Sequence, residues 1–306
     1  MIELLASSIR LATPLLFASM GGLLCERAGV ATICLEGVML TSAWTAAVVN
    51  YYTHNAWLAV TVALWVGALT MGIHAFLTIT ARADQIISGV VVNFLAAGIT
   101  PLLTNAFFGA PTNTPSIPLA DRFHSVELWG LSAIPGLGKI LFAHPPLIYL
   151  ALLLPFAVHF AVYRKGMGLR LLASGDGPEA LRTAGVSPGR VRYAALLLGG
   201  AITSLGGTFL SISHTSQFTR DMTAGRGFIA LTALIFGKWR PVPTFFACLF
   251  FGFADALQIQ LQSATVFGVQ FPVQFIQALP YLVTIVVLVG FIGKAIPPLS
   301  IGKRLG

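Results

Sequence analysis

Nine apolar windows recur along the whole chain, and most have the length of a helix that crosses a bilayer. The chain is 56% hydrophobic and only 9% charged, which is more apolar than a soluble core requires. Only helices or closed barrels cross a bilayer, and the windows lack the alternation of barrel strands. We therefore expect an all-α, polytopic transmembrane bundle of about eight to ten spans, forming one domain over residues 1–306. The windows are 4–24, 29–52, 56–80, 86–108, 146–163, 193–213, 226–237, 242–260 and 272–293.

Two of these windows are expected to be broken or re-entrant helices. The window 226–237 is too short to cross a bilayer alone, and 29–52 is interrupted by Glu36 and Gly37. In a third window, 193–213, glycine pairs recur seven residues apart and so lie on one helix face. Small residues on one face predict that this helix packs closely against its neighbours.

The distribution of charge orients the bundle, because short cytoplasmic loops are enriched in lysine and arginine. The segment 164–192 carries a net charge of +4 and is placed inside, whereas the balanced segment 109–145 is placed outside. Five further basic residues fit the same inner face: Lys238, Arg240, Lys294, Lys303 and Arg304. The side of the amino terminus stays open, because the charges at each end of the first window cancel. The net charge of +8 indicates this topology and not nucleic-acid binding, since the charges lie in separate loops.

The basic segment 164–192 contains the signals of a short helix at 177–184. Asp176 and Glu179 have the spacing of a capping box, Pro178 suits the first turn, and Gly185 suits a left-handed end. Such a helix, lying along the cytoplasmic surface, is suited to bind a groove in a soluble partner, with Leu181 as its largest apolar side chain. An ordinary capped loop helix without a partner is the alternative. The residues expected to couple to a partner are Asp176, Gly177, Pro178, Glu179, Ala180, Leu181, Ala184 and Gly185.

Polar and aromatic side chains inside the apolar windows are candidates for a translocation path. A charge in mid-bilayer is costly unless it is paired or hydrated, so such residues are often functional. The alternative is that each side chain only hydrogen-bonds to a neighbouring helix. An aromatic ring inside a window is a candidate as well, because its face can stack on a flat substrate. The candidates are Glu36, Trp44, Asn93, Asp255 and Gln258.

The sequence lacks the motifs of an enzyme or of a metal or cofactor site. It has no G-x-x-x-x-G-K-[ST] loop for ATP, no H-E-x-x-H and no G-x-S-x-G. Its three cysteines, Cys25, Cys34 and Cys248, show no C-x-x-C spacing. We therefore expect no catalytic residue, no cofactor and no metal, and any energy from ATP has to come from another chain.

Four segments in order resemble the membrane permeases of ABC importers. ASGDGPEALRTAGVSPGRVRYAALLLGGAITSLGGTFLS (173–211) resembles the coupling loop and following helix of the branched-chain amino acid/ribose class. GLLCERAGVATICLEGVML (22–40), ADQIISGVVVNF (83–94) and GRGFIALTALIFGKWRPVPTFFACLFFGFADALQIQLQ (225–262) resemble the simple-sugar/nucleoside permeases that work with basic membrane lipoproteins. One departure is Gly-Asp-Gly-Pro-Glu at 175–179, where that family commonly has Gly-Glu-Asn-Pro and a variable residue.

The resemblance implies a permease of the bacterial cytoplasmic membrane that forms the path for a nucleoside or related simple sugar. It also implies three protein partners: an ABC ATPase, a second related permease and an extracytoplasmic substrate-binding lipoprotein. An ion-coupled secondary transporter is the alternative, in which Glu36 and Asp255 carry the coupling ion. The basic segment 164–192 favours the importer, because an ion-coupled carrier needs no docking helix. A third alternative, an intramembrane enzyme, would need a paired nucleophile and base, and the sequence shows no such pair.

Overall fold

A computed structural model describes residues 2–110, 112–127, 137–262, 265–266, 269–270 and 295–303. Helices dominate, and the four strands are two residues each, paired antiparallel as β1 with β2 and β3 with β4. The elements are α1 Ile2–Arg27, α2 Leu35–Thr53, α3 Ala56–Ala75 with a π-helical end Phe76–Thr80, α4 Gln85–Phe108, a 3-10 turn Leu119–Asp121, β1 Val126–Glu127, α5 Leu137–Leu141, β2 Ala143–His144, α6 Pro146–Arg164, α7 Gly166–Asp176, α8 Pro178–Thr183, α9 Pro188–Thr208 with a π-helical end Phe209–His214, α10 Arg226–Phe236, α11 Pro241–Gln262, β3 Thr265–Val266 and β4 Val269–Gln270.

Six of the described helices are long and apolar enough to cross a membrane: α1, α3 with its π-helical end, α4, α6, α9 with its π-helical end, and α11. Each coincides with a predicted apolar window. In the window 29–52, residues 28–34 are not helical and α2 begins at Leu35, but the helix then continues through Glu36 and Gly37, so the break expected at these two residues is absent. The short window 226–237 forms α10, an 11-residue helix. The predicted last span 272–293, Lys294 and Arg304 lie outside the described residues.

Side-chain caps fix the starts of two spans. The Asn55 side chain accepts hydrogen bonds from the backbone N–H groups of Trp57 and Leu58, which have no partner inside the first turn of α3. Asp84 does the same for Ile86 and Ile87 at the start of α4. Each cap starts a helix directly after a short turn. Helices α3 and α4 therefore follow each other closely in sequence, and they also contact each other in space.

Helices α1 and α9 form the centre of the bundle. Their most apolar windows are 83% and 78% buried, against 28% to 33% for the other four candidate spans. The glycines of α9 explain this position, since a Cβ on Gly199 would meet the Gly21 carbonyl oxygen at 2.6 Å and one on Gly200 the Gly67 carbonyl oxygen at 2.5 Å. The predicted close packing of this helix is confirmed.

Three contacts bring the basic segments to one end of the bundle. Arg27 Nε donates to the Trp239 carbonyl at 2.8 Å, Ser300 N to the Gly175 carbonyl at 2.9 Å, and Gln85 Nε2 to the Lys303 carbonyl at 3.2 Å. By the positive-inside rule this end is cytoplasmic. The start of α1 lies at the opposite end, where it lines a cavity with His214 and the end of α11. With the basic end on the cytoplasmic side, the amino terminus, whose side the charges left open, is assigned to the outer side.

Candidate functional site

A cavity of about 300 Å³ lies beside the start of α10, where α2, α4 and the non-helical segment 215–225 meet. Two of the predicted path residues, Glu36 and Asn93, line it together. The complete lining is Glu36, Gly37, Leu40, Val90, Asn93, Phe94, Ala97, Asp221, Thr223, Ala224, Gly225 and Phe228. The cavity therefore combines an apolar and aromatic wall with a few polar groups, which is the usual composition of a small-molecule site.

Glu36 holds the start of α10 in place. Its carboxylate accepts hydrogen bonds from the backbone N–H of Gly225 at 2.8 Å and of Gly227 at 2.6 Å. The first N–H groups of a helix have no partner within the helix, and the helix dipole favours a negative charge beside them. Both glycines are required, because Gly225 has a left-handed backbone (φ 81°) and a Cβ on Gly227 would meet the Glu36 backbone nitrogen at 2.5 Å.

Asn93 joins α4 to the first turn of α2. Its Oδ1 accepts from the Gly37 N–H at 2.8 Å, and its Nδ2 donates to the Ile33 carbonyl at 3.0 Å. Glu36 and Asn93 thus make the bonds between neighbouring elements that the alternative interpretation predicted. Each side chain keeps capacity for further hydrogen bonds, since a carboxylate offers about four acceptor sites and an amide four sites in all.

The other three predicted path residues lie elsewhere. Trp44 stands on α2 but binds α4, where its Nε1 donates to Thr104 Oγ1 at 2.9 Å. Asp255 and Gln258 lie on α11, and neither lines the cavity. Of the five candidates, the structure brings together only Glu36 and Asn93.

Sequence reasoning missed the segment 215–225 as part of this site. The segment returns from the end of α9 to the start of α10, and its backbone is paired with residues 112–117. Ile117 N donates to the Ser216 carbonyl at 2.8 Å and Thr114 N to the Phe218 carbonyl at 3.0 Å. The sequence signal for this segment was Gly225-Arg226-Gly227, which stands at the start of a window too short to cross the bilayer. This pattern indicates a broken helix with its end inside the membrane.

The far end of α10 is held by α1. Trp239 Nε1 donates to the buried Glu26 carboxylate at 2.5 Å, and the Trp239 carbonyl accepts from Arg27. Lys238 and Trp239 both adopt the left-handed conformation (φ 53°), which non-glycine residues rarely adopt. The turn after α10 is therefore held against the cytoplasmic end of α1 by two hydrogen bonds of Trp239, one from its ring to Glu26 and one from Arg27 to its carbonyl.

The predicted docking helix 177–184 is present as α8, Pro178–Thr183, within one residue at each end. Gly185 has the left-handed conformation expected after it (φ 78°). The predicted capping box is wrong. Residues 166–176 form α7, so Asp176 is the last residue of that helix and cannot serve as the flanking cap of the next. Gly177 occupies the cap position without a side-chain hydrogen bond, and Glu179 pairs with Arg182 at 3.2 Å.

Helix α8 turns its one large apolar side chain inward. Leu181 is only 5% exposed, whereas Glu179, Ala180, Arg182, Thr183 and Ala184 are exposed. Leu181 therefore has little surface to offer a partner, contrary to the expectation that it fills a partner's groove. It faces the body of the protein, and α8 packs on α7 and α9. The exposed residues form the surface that a soluble protein would meet, and we refer to them as the α8 face.

Comparison with known proteins identifies the family. The sequence profile described as "Branched-chain amino acid transport system / permease component" matches residues 4–296. The chain belongs to this family of permeases. It is 37% identical to the guanosine ABC transporter permease protein NupQ of Bacillus subtilis (strain 168), over 95% of this chain and 92% of that protein. It is 33% identical to the nucleoside ABC transporter permease protein NupC of Lactococcus lactis subsp. cremoris, over 98% and 95%.

A more distant relative is the ribose import permease protein RbsC of Escherichia coli (strain K12), which is 27% identical over 71% of this chain and 65% of that protein. Membership in the family makes the chain the permease subunit of an ABC importer and a multi-pass membrane protein. The subunit is not an enzyme, since ATP hydrolysis takes place on a separate ATPase subunit, and a substrate-binding protein delivers the cargo. The family does not favour the ion-coupled alternative.

Proposed function

We propose that this permease carries nucleosides, that the cavity beside α10 is part of their path, and that the α8 face receives the ATPase. The observation that carries the proposal is the composition of the cavity. Phe94 and Phe228 line it with side chains that are 74% and 47% exposed, next to the polar groups of Glu36 and Asn93. An aromatic ring offers a face to a nucleobase, and amide and carboxylate groups suit ribose hydroxyls.

Two relatives support a nucleoside cargo. At 37% and 33% identity they are named for guanosine and for nucleosides, whereas a third at 35% identity is named as a putative glucose permease and the ribose permease is more distant. A cavity of about 300 Å³ is at the lower limit of ordinary small-molecule sites, which matches a cargo of one base and one sugar. The backbone bonds of Glu36 leave its remaining acceptor sites for the cargo.

The proposed assembly contains a second, related permease, so that the membrane part is a heterodimer, and its substrate-binding protein is a lipoprotein. The resemblance of residues 22–40, 83–94 and 225–262 to permeases that work with basic membrane lipoproteins supports this assembly. The α8 face supports the docking role, because it lies on the basic end of the bundle and exposes two alanines beside a paired arginine and glutamate.

The cargo is tested by uptake in proteoliposomes that contain the complete importer and internal ATP. Labelled guanosine or adenosine should accumulate, unlabelled nucleosides should compete, and free ribose should not. A protonophore should leave uptake unchanged while ATP is held constant. Competition by ribose as strong as by nucleosides would contradict the nucleoside proposal. Collapse of uptake with the protonophore would contradict the importer mechanism.

The docking surface is tested by two substitutions on α8 and one control. Ala180→Trp places a bulky ring on the α8 face and should reduce substrate-stimulated ATP hydrolysis without disturbing the helix. Leu181→Asp removes a buried leucine worth about 1.5–3 kcal/mol and adds an unpaired charge, so it should detach α8 and abolish stimulation. Leu172→Ala, in the preceding helix, should have a milder effect. Wild-type stimulation in both α8 variants, at equal permease abundance, would show that α8 is an ordinary surface helix.

A further inference from the structure

A second cavity, of about 480 Å³, opens at the cytoplasmic end of the bundle, and the permease function described above does not use it. Helices α6 and α9 form its sides, and α1 contributes Leu24 between them. Helix α7 and the turn between α8 and α9 (185–187) border its cytoplasmic end. Along α9 the cavity extends from Arg190 in the first turn to Leu198, which is roughly 12 Å along the helix axis. It therefore reaches from the membrane surface into the hydrocarbon region. We refer to it as the α6–α9 groove.

Small side chains keep the α6–α9 groove open. Ala161, Ala194 and Ala195 form part of its walls, and all three project only a methyl group into it. Gly168 brings α7 against the end of α6, where an added Cβ would overlap with the carbonyl oxygens of Ala161 and Val162. The upper wall is apolar throughout, so it suits a hydrocarbon chain and not a hydrated solute.

Two arginines stand at the cytoplasmic mouth of the groove. Arg170 on α7 and Arg190 on α9 both line it, and both are exposed. Neither has a hydrogen bond or an ion pair to another residue of the described part of the chain. The lining contains no acidic residue. The mouth therefore presents two guanidinium groups whose ten N–H donors in all are available to an anion.

Helix α7 has the surface of a helix that lies in the membrane interface. Met167 and Leu169 are 76% and 70% exposed, although both are large and apolar. A helix that met only water would leave these side chains hydrated at a cost. A helix at the level of the lipid headgroups places them among acyl chains and leaves Arg170 next to phosphate groups. The mouth of the groove is thus at the depth of the inner-leaflet headgroups.

We propose that the α6–α9 groove binds one anionic phospholipid of the inner leaflet. Its phosphate lies between Arg170 and Arg190, and one acyl chain runs along the groove towards Leu24 and Leu198. The charge of the mouth, the apolar walls and the depth of the groove all match the parts of such a lipid. Basic pockets between transmembrane helices on the cytoplasmic side are recognised sites for anionic headgroups.

The test uses the full chain, with the subunits that co-purify with it, in nanodiscs of phosphatidylcholine and phosphatidylglycerol. Native mass spectrometry measures which lipid stays bound. The variants are Arg170→Gln/Arg190→Gln, which removes the charge, and Ala194→Trp, which fills the groove. Arg164→Gln is the matched control, because Arg164 is an exposed arginine at the end of α6 that does not line the groove.

Phosphatidylglycerol should be enriched over its bulk fraction in the wild type and in the control. The double arginine variant should lose roughly thirty-fold of this preference, about five-fold for each arginine. Ala194→Trp should lose the bound lipid although both arginines remain. Retention of the lipid by either variant, or no enrichment in the wild type, would overturn the proposal. Displacement of the bound lipid by soluble glycerol phosphate would also overturn it, because the groove would then be a phosphate site. Loss of the ATPase subunit from a variant with unchanged lipid binding would overturn it too, because the groove would then be a docking surface.

Discussion

Replacement of Glu36 by glutamine tests whether this side chain stabilises the start of α10 or contacts the cargo. The substitution keeps the length of the side chain and removes its charge. A carboxylate accepts from both Gly225 N and Gly227 N, at 2.8 and 2.6 Å. A glutamine amide has a single acceptor oxygen, so one of the two N–H groups would face an NH₂ donor instead. The start of α10 should therefore be loosened in Glu36→Gln.

The expected cost follows from these two bonds. Each hydrogen bond to a charged acceptor contributes about 1.5–3 kcal/mol, and a neutral one about 1 kcal/mol. Losing two of the first kind and keeping one of the second costs about 2–5 kcal/mol. Glu36 is only partly buried and lines a cavity that water can enter, so the lower part of this range applies. We expect a loss of about 2–3 kcal/mol in the local stability at the start of α10.

Hydrogen–deuterium exchange of the amides of residues 225–229 measures this loss directly. Since each 1.4 kcal/mol is a factor of ten, exchange should become about 30 to 150 times faster in Glu36→Gln. Nucleoside transport should fall in parallel, because Phe228 in the cavity wall belongs to the loosened turn. Glu3→Gln, at the exposed start of α1, should change neither quantity. Unchanged exchange together with lost transport would refute this reasoning and would assign Glu36 to the cargo.

Two further predictions concern packing and orientation. Gly227→Ala should reduce transport more than membrane insertion, because its Cβ would meet the backbone of α2 at 2.5 Å, whereas Gly98→Ala, with open space around it, should be neutral in both. In a background without the three buried native cysteines, a cysteine at Glu3 or Thr112 should react with an impermeant thiol reagent in intact cells, and one at Ser187 should be shielded. Labelling of Ser187 but not of Thr112 would reverse the assigned orientation.

The helices of this fold could be predicted well from the sequence, because the bilayer fixes both their length and their composition. Each window of about 20 apolar residues within the described part became one helix. The two windows expected to be broken behave differently from that expectation: 226–237 forms one short, unbroken helix, and α2 runs through Glu36 and Gly37 without a break. In 29–52 the non-helical part ends just before Glu36. The side of the amino terminus could not be predicted, because it depends on the long-range contact that places Arg27, at the end of α1, beside Trp239 at the basic end of the bundle.

The candidate site could be predicted only in part, because residue type does not reveal the partner. Glu36, Asn93 and Asp255 share one signature, a polar side chain within an apolar window. Two of them line the cavity together, whereas Asp255 lies on α11 outside the cavity lining. The bond from Gly225 to Glu36 joins residues 189 positions apart, and no local period records such a contact. A polar residue in a span therefore marks a candidate, but the sequence alone does not tell which residues it contacts.

The capping box predicted at 176–179 does not form, and the reason is local. A cap requires a residue with non-helical backbone, and the sequence D-x-x-E says nothing about whether the preceding residues are helical. Here residues 166–176 form α7, so Asp176 belongs to that helix and its carboxylate accepts instead from Leu299 N at 3.4 Å. The helix start itself was still predicted within one residue, because Pro178 marks a first turn regardless of the cap.

The segment 26–36 connects the cytoplasmic surface to the cavity. Near its beginning, the Ala28 carbonyl accepts from Ser174 Oγ of α7 at 3.1 Å, and a Cβ on Gly29 would lie 3.2 Å from the Gly175 Cα. At its two ends, Glu26 binds the turn after α10 and Glu36 binds the start of α10. One short stretch of chain therefore contacts the helix that precedes α8 and both ends of the helix that borders the cavity.

This arrangement gives the importer a short mechanical route. Helix α10 has 11 residues and rises roughly 16 Å, so it reaches from the cytoplasmic end to the cavity without crossing the bilayer. Because both of its ends are bonded to the same segment, α10 and residues 26–36 are expected to move together. If the ATPase docks on the α8 face as proposed above, a displacement of α7 and α8 would reach Phe228 in the cavity wall through a few hydrogen bonds and close backbone contacts.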